Sequence, residues 1–399
     1  MTANEIRKKF LKFFEERGHV IVPSSSLIPD DPSVLLTTAG MQQFKPYYTN
    51  PVAADKDFGS RNVASIQKSF RTSDIEEVGD ESHLTFFEML GNFSFGGYFK
   101  KEAIAFAHEF ITKEMGLAIS HVTVFEGSHG VPKDDESRSV WNALGVTDVQ
   151  EEGIEDVFWG PTGSAGPCGP ATEMYCRNAA GQDIEIWNIV FNQYIFPGSR
   201  EELLAGNSGK KLEKLETPGV DTGMGLERLA MISQNTKTVF ETDAFTSLIQ
   251  KLPESLSEAQ KRIVADHLRG AVFLLADGIR PSNKQAGYIL RRLLRRVFAY
   301  EYTQSISPQI FESVLLRSIE QYGLWYSELV KEKNNSINEY WAEREKFRKT
   351  IDAGIKEIYK CKEIDAPIAF HLYQSFGISL DVIRDVAGEK VKQVTNEAF

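Results

Sequence analysis

The run Val220-Asp221-Thr222-Gly223-Met224-Gly225-Leu226-Glu227-Arg228-Leu229 restricts what this chain can fold into more than any other stretch. Pro218-Gly219 breaks the chain just before it. Val220 and Asp221 read as a strand end or the approach to a turn, and Leu226, Leu229, Ala230 and Ile232 open an amphipathic helix. Between them, two glycines let backbone come close to another group. A glycine-rich run ahead of a helix also offers free N–H groups to an anion. Asp221 and Arg228 add fixed charges of opposite sign, which suits a ligand with an ammonium at one end and phosphates at the other. Taken alone, glycine before a helix is more often plain turn chemistry.

A second stretch adds to this reading. Ser69-Phe70-Arg71-Thr72-Ser73-Asp74 passes through an acidic turn into His83-Leu84-Thr85-Phe86-Phe87-Glu88-Met89-Leu90-Gly91-Asn92-Phe93-Ser94-Phe95. The first half sets an arginine on a short β-prone run. The second is aromatic and alternating, so one face can stack a planar ring while the other packs inward. Arginine, loop, phenylalanine-bearing strand and a later Gly-x-Gly-x-Glu-Arg helix resemble the signature motifs of class II aminoacyl-tRNA synthetases. Gly166-Pro167-Cys168-Gly169-Pro170, Glu185-Ile186-Trp187-Asn188-Ile189-Val190-Phe191 and the run from Phe86 to Phe95 narrow the resemblance to the alanyl-tRNA synthetase family. It extends from the first helix nearly to the last residue.

Composition fits a globular protein. The 399 residues suggest two or three domains; 42% are hydrophobic and 25% charged. No apolar run approaches the roughly 20 residues needed to span a bilayer, so no membrane association is expected. The start reads as a helix, not a signal peptide. Three cysteines make no disulfide framework, and with seven histidines they show no zinc spacing, so a reducing cytoplasm and no zinc are expected. Residues 251–399 carry a net charge of +3 against −14 for 1–250, so a polyanion would dock on the later part.

Along the chain, Thr2 and Glu5 form a capping box for a helix ended by Gly18. Lys101 to Met115, Asp134 to Leu144, Lys261 to Ala276, Ile310 to Tyr322 and Ala366 to Ser375 also read as helices. Ser327 to Lys362 reads as one long helix broken near Asn334-Asn335-Ser336. Thr162 to Pro170 holds too much glycine and proline for a helix or an interior strand, which makes it a loop. Ile184 to Tyr194 is a long strand. Strict alternation puts Asn188 and Asn192 on the face of Ile184, Ile186 and Val190, with Glu185, Trp187 and Ile189 opposite. Gly198 to Gly219 reads as a polar loop. The helix begun at Lys284 or Gln285 carries Arg291, Arg292, Arg295 and Arg296 as a compact cationic strip. That strip is either a solvated face paired with nearby acids or a track for phosphates.

The resemblance implies an α+β fold: an antiparallel β-sheet of the class II type flanked by helices over residues 1–242, then an all-α acceptor-stem domain over 243–399. It implies activation of L-alanine with ATP to alanyl-adenylate, then transfer to the 3′ end of tRNA(Ala). Phosphoryl chemistry of that kind needs positioning and charge neutralisation more than a nucleophilic side chain. By motif, Arg71 bridges the α-phosphate and the substrate carboxylate, Phe87 stacks on adenine with Met89 beside it, and Arg228 holds the γ-phosphate. Asp221 takes alanine's ammonium, Trp159, Asn188 and Gly223 line a one-methyl pocket, and Glu173 and Glu185 are candidates for Mg2+. Asn283, with Arg291, Arg292, Arg295, Arg296 and Asp381, is implied in binding an acceptor stem marked by a G–U wobble pair. The chain is expected to act as a monomer without an editing domain in cis.

Several positions depart from the family. The loop after Arg71 is short and lacks the usual lysine. Ser82 and Ala171 replace an arginine and a cysteine, and Gln374 stands where an acid reads the wobble pair. Two other functions share the motifs: a relative that loads alanine onto a carrier protein, and a noncatalytic module. The helical part with Asn283 argues against the first, and the presence of Arg71, Asp221 and Arg228 argues against the second.

Overall fold

The computed structural model describes residues 1–206, 209–392 and 394. The chain forms two compact units: Met1–Phe70 with Phe87–Ala244, and Arg71–Phe86 with Phe245–Phe399. Of the latter, 393 and 395–399 lie outside the described residues, as do 207 and 208 within the stretch read as a polar loop.

The strands are β1 (Val20–Ile21), β2 (Asn62–Phe70), β3 (Phe86–Ser94), β4 (His121–Phe125), β5 (Val149–Glu152), β6 (Phe158–Trp159), β7 (Gly166–Arg177), β8 (Asp183–Phe196) and β9 (Glu213–Gly225). They lie in the order β1-β2-β3-β9-β8-β7-β4-β5, with β6 added to β7. The run from β3 through β9, β8 and β7 to β4 is antiparallel. The pairs β1–β2 and β4–β5 are parallel, so the α+β expectation holds and the sheet is mixed at its edges.

One face of the sheet is packed by helices. The helix Ala3–Glu15 starts at the Thr2/Glu5 capping box and lays Phe10 and Phe14 against Trp187 of β8, with ring centroids 6.1 and 6.4 Å apart. Phe110, at the end of the helix Lys100–Glu109, meets the same indole edge-on at 5.8 Å. Through this layer runs a buried charge cluster. Arg7 Nε donates to Glu88 Oε1 at 2.8 Å, and a second contact joins Arg7 Nη2 to Oε2. The Glu88 N–H donates to the carboxylate of Glu227, in the helix Leu226–Ser233. Removing one member of such a buried pair leaves an uncompensated charge, at a cost of about 3–5 kcal/mol.

Four expectations are corrected. The Gly/Pro run at 166–170 is the first part of an interior strand, with β6 on one side and β8 on the other. The ladder slips between Cys168 and Ala171, which removes the demand for a regular N–H at Pro170. Within the slip, a Cβ on Gly169 would stand 1.9 Å from the Phe191 carbonyl oxygen. The stretch read as a loop from 198 to 219 holds the helix Arg200–Ala205, capped by Ser199, and the exposed first half of β9. Its Lys-Leu-Glu alternation extends the β8–β9 hairpin into solvent. The long charged helix breaks at Glu332, ahead of Asn334, giving Ser327–Lys331 and Lys333–Lys360. A further helix, Leu380–Ala387, follows the one taken as last.

The second unit is helical apart from the Arg71–Phe86 segment. That segment is bound into it. Thr85 gives its N–H and hydroxyl to Asp266 at 3.0 and 2.6 Å, and the Phe86 ring stacks on Phe273 at 3.9 Å. Arg269, wholly buried, lies within 4.8–5.0 Å of the ring centres of Phe86, Phe245 and Tyr322.

The slip at Gly169 yields a prediction. Gly169→Ala should lose about 1–3 kcal/mol in urea unfolding, because neither backbone can retreat. Gly153→Ala, whose new carbon would meet only the Glu126 carboxylate at 3.4 Å, should unfold close to the unmodified chain.

Candidate active site

The other face of the sheet carries glycines and polar side chains at its centre. Cross-strand register sets Val190 beside Asp221, Asn188 beside Gly223, Asn192 beside Gly219, Glu173 beside Asn188 and Met89 beside Gly225. Alternation along β9 thus brings Asp221, Gly223 and Gly225 onto one surface with Asn188 and Glu173. A Cβ on Gly223 would stand 2.9 Å from Met89 Sδ. Glycine here makes room for the Met89 side chain, which a methyl at this position would crowd. Phe87 and Trp159, both half-buried, pack against the apolar cluster that holds Met89, Phe93 and Tyr48.

Asp221 is 5% exposed. Among the described residues it has neither an ion pair nor a side-chain hydrogen bond. Burial alone lifts its pKa from the usual 3.8 to about 8. The Tyr48 hydroxyl donates to the Val220 carbonyl at 2.9 Å, and its ring covers Gly219, where a Cβ would stand 2.7 Å away. Sequence reasoning missed Tyr48: its short helix, Lys45–Thr49, is too brief to show a period.

Strict alternation misplaces Glu185. Met174 faces Trp187, but Tyr175 faces Glu185, so Ile186 is an extra residue in β8. The bulge turns Glu185 to the side of Asn188 and Glu173. Tyr175 faces that side too, and its hydroxyl donates to Glu173 Oε2 at 2.8 Å; Asn188 Nδ2 donates to Oε1 at 2.8 Å. Burial first, then the nearby Glu185 charge, raises Glu173 to about 8. Arg228 Nη1 reaches Glu185 Oε2 at 2.9 Å and the Glu185 carbonyl at 3.2 Å. Asn188 Oδ1 is buried with no partner among the described residues, so it can accept from a ligand.

Asp221, Gly223, Asn188, Glu173, Glu185, Arg228, Met89, Phe87 and Trp159 therefore belong to the first unit. Arg71 belongs to the second, directly after the end of β2, and its N–H donates to the Thr85 carbonyl at 2.8 Å.

In the second unit Asn283 is exposed, just ahead of the helix Gln285–Thr303. The arginine strip on that helix is an internal network. Arg292 pairs with Asp381 through Nε and, at 2.7 Å, through Nη2; the same Nη2 reaches Glu76 Oε1 at 3.0 Å. Burial opposes the charge of each partner, yet the pairing outweighs it, raising Arg292 and lowering Asp381. Arg295 holds Glu343 at 2.7 Å and the Gly377 carbonyl at 2.9 Å, and Arg296 holds Asp385 at 2.8 Å. Arg291 lies 3.4 Å from Glu343. Of the two readings of the strip, the geometry gives the paired one.

An antiparallel sheet with helices packed on one face and glycines and polar side chains on the other, crossed by Asp-x-Gly-x-Gly and followed by a Glu-Arg helix, is the arrangement of a tRNA synthetase of class II. The chain belongs to that family: its residues 5–399 match the group described as "tRNA synthetases class II (A)". Its curated relatives carry the name alanine–tRNA ligase. That of Rubrobacter xylanophilus is 40% identical over 98% of this chain and 47% of its own length. That of Dehalococcoides mccartyi strain BAV1 is 38% identical over 100% and 47%. That of Treponema pallidum is 37% identical over 100% and 70%. The chain thus spans about half the length of the first two.

The lone buried carboxylate makes stability depend on pH. The folded pKa of Asp221 is raised, so the unfolded chain ionises first, and stability is lost as pH climbs from about 4 to about 8. Asp221→Asn removes that loss. In urea titrations without ligand, the gap between variant and unmodified chain should widen over this window, reaching about 5–6 kcal/mol, and level off above it.

Proposed function

We propose that this chain activates L-alanine with ATP and passes the alanyl group to the 3′ end of tRNA(Ala). The observation that carries this is Asp221: a buried carboxylate without a cation among the described residues, on one surface with Gly223 and Asn188. An unpaired buried charge is costly, and a small ligand's ammonium supplies the missing partner. The one-methyl pocket falls to Gly223, Trp159 and Asn188, the last with an acceptor to spare.

In this reading, alanine's carboxylate attacks the α-phosphate of ATP, giving alanyl-adenylate and pyrophosphate. Arg71 bridges carboxylate and phosphate, a two-pronged task suited to guanidinium. Phe87 lies under adenine next to Met89, and Arg228 takes the γ-phosphate end. Glu173 and Glu185 fit a Mg2+ site: two carboxylates this close, with burial and then the Glu185 charge raising Glu173, gain from a divalent cation shared with phosphate oxygens. Bound there, Mg2+ neutralises phosphate charge, and Arg228 already holds Glu185 in place for it. The first unit is the aminoacylation domain. The second presents the acceptor stem, with exposed Asn283 at the G–U wobble pair. Arg292 and Asp381 together, with Arg291, Arg295 and Arg296, shape the surface around it. A monomer in a reducing cytoplasm suits the unpaired thiols of Cys168, Cys176 and Cys361.

Alanine-dependent exchange of pyrophosphate into ATP tests the reading; no exchange overturns it. Asp221→Ala should raise KM for alanine on the order of a hundredfold with KM for ATP nearly unchanged, the loss of about 3 kcal/mol expected for a charge-assisted contact. Arg228→Ala should do the reverse. Alanine must find Asp221 ionised, so its KM should fall as pH rises from 6.5 to 8.5, which exchange kinetics at several pH values will read. Charging of a tRNA with the wobble pair should exceed charging of one in which that pair is made Watson–Crick.

A further inference from the structure

The segment that begins at Arg71 is tied to the helices of the second unit at several points, and one carboxylate bridges two of those helices. Glu76, in the turn Ser73–Glu76, is a forked acceptor. Its Oε1 takes Arg292 Nη2 at 3.0 Å, from the helix Gln285–Thr303, and its Oε2 takes Arg384 Nη1 at 2.8 Å, from the helix Leu380–Ala387. Neighbouring contacts go to backbone. Arg296 Nη1 reaches the Ile75 carbonyl at 3.3 Å, and Arg262 Nη1 reaches the Asp80 carbonyl at 2.8 Å. At the far end, Asp266 fixes Thr85, whose carbonyl accepts the Arg71 N–H. The segment is thus pinned at its middle by Glu76 and at its base by Asp266.

We propose that Glu76 is a positioning residue for Arg71, acting through the segment's backbone without touching substrate. This rests on the role given to Arg71 above. The guanidinium that Glu76 grips is shared: Arg292 divides its donors between Glu76 and Asp381. Whatever draws Asp381 away frees the Arg292 guanidinium toward Glu76, and whatever draws Arg292 away loosens one side of the Glu76 fork. The setting of Arg71 is therefore coupled to the occupancy of the acidic and basic groups of the helical unit, the surface to which an acceptor stem is assigned. Charge-assisted forks of this kind fix orientation as well as distance, which is what a residue bridging carboxylate and phosphate requires.

The test uses the full chain with Glu76→Gln and Glu76→Asp, read two ways. In hydrogen exchange, Glu76→Gln should speed the amides of residues 71–86 by about tenfold or more, leaving those of β8 and β9 at their original rates. Glu76→Asp should restore much of the protection. In alanine-dependent pyrophosphate exchange, Glu76→Gln should lower kcat/KM about tenfold and Glu76→Asp should recover much of it, since Arg71 bridges the reacting carboxylate and phosphate. Unchanged protection at 71–86 would overturn the proposal. So would a general loss of protection that includes β8 and β9, which marks a merely structural role. If the unmodified chain shows no exchange reaction, the proposed function fails, while the hydrogen-exchange contrast still decides whether Glu76 sets the segment.

Discussion

Everything in the first unit depends on giving the two faces of one sheet opposite duties. The packed face carries Trp187, the phenylalanines of two helices and the Arg7–Glu88 pair. Because that face supplies the cohesion, the other can leave β9 positions to Gly219, Gly223 and Gly225, where Tyr48 and Met89 come close to the first two. A sheet packed equally on both sides would have no room for a ligand. One bare on both sides would lack the apolar burial that offsets chain entropy.

The other face is also where charge is left unsettled. Among the described residues Asp221 has no counter-ion, Glu173 is crowded by Glu185, and Asn188 keeps an unused acceptor. Elsewhere the chain pairs its buried charges, as at Arg7 with Glu88, Lys100 with Asp134 and Arg344 with Glu301. Perturbed acids concentrated on one surface of an otherwise settled protein mark where the missing partner is a ligand. The second unit follows the opposite policy: its arginines are paired with acids of the same unit, which favours a fixed shape over a diffuse cationic field.

Much of this was legible in the sequence because local patterns and global fold agree. The Thr2/Glu5 box, the helix after Gly225 and the alternation of β3 all announce themselves over a few residues. What escaped did so where spacing was interrupted. The two slips in the β7–β8 ladder defeated period-two reading, hiding the strand within Gly166–Pro170 and turning Glu185 to an unexpected side. The helix Leu380–Ala387 was missed because eight residues are barely two turns. The fate of the arginine strip could not be read locally either. Its acids, at 76, 343, 381 and 385, lie far along the chain and meet it only in the folded unit.

The extra residue at Ile186 has a consequence for how this chain can vary. Three steps along a regular strand carry a side chain from one surface to the other, yet Glu185 and Asn188 look the same way. Removing Ile186 would leave two regular steps and the same facing, whereas a ladder that paired every residue of β8 without the bulge would swing the carboxylate into the oily interior and strip Arg228 of its companion. The restraint on this segment therefore falls on the phase between the two side chains, and the bulge is what lets an odd spacing keep it.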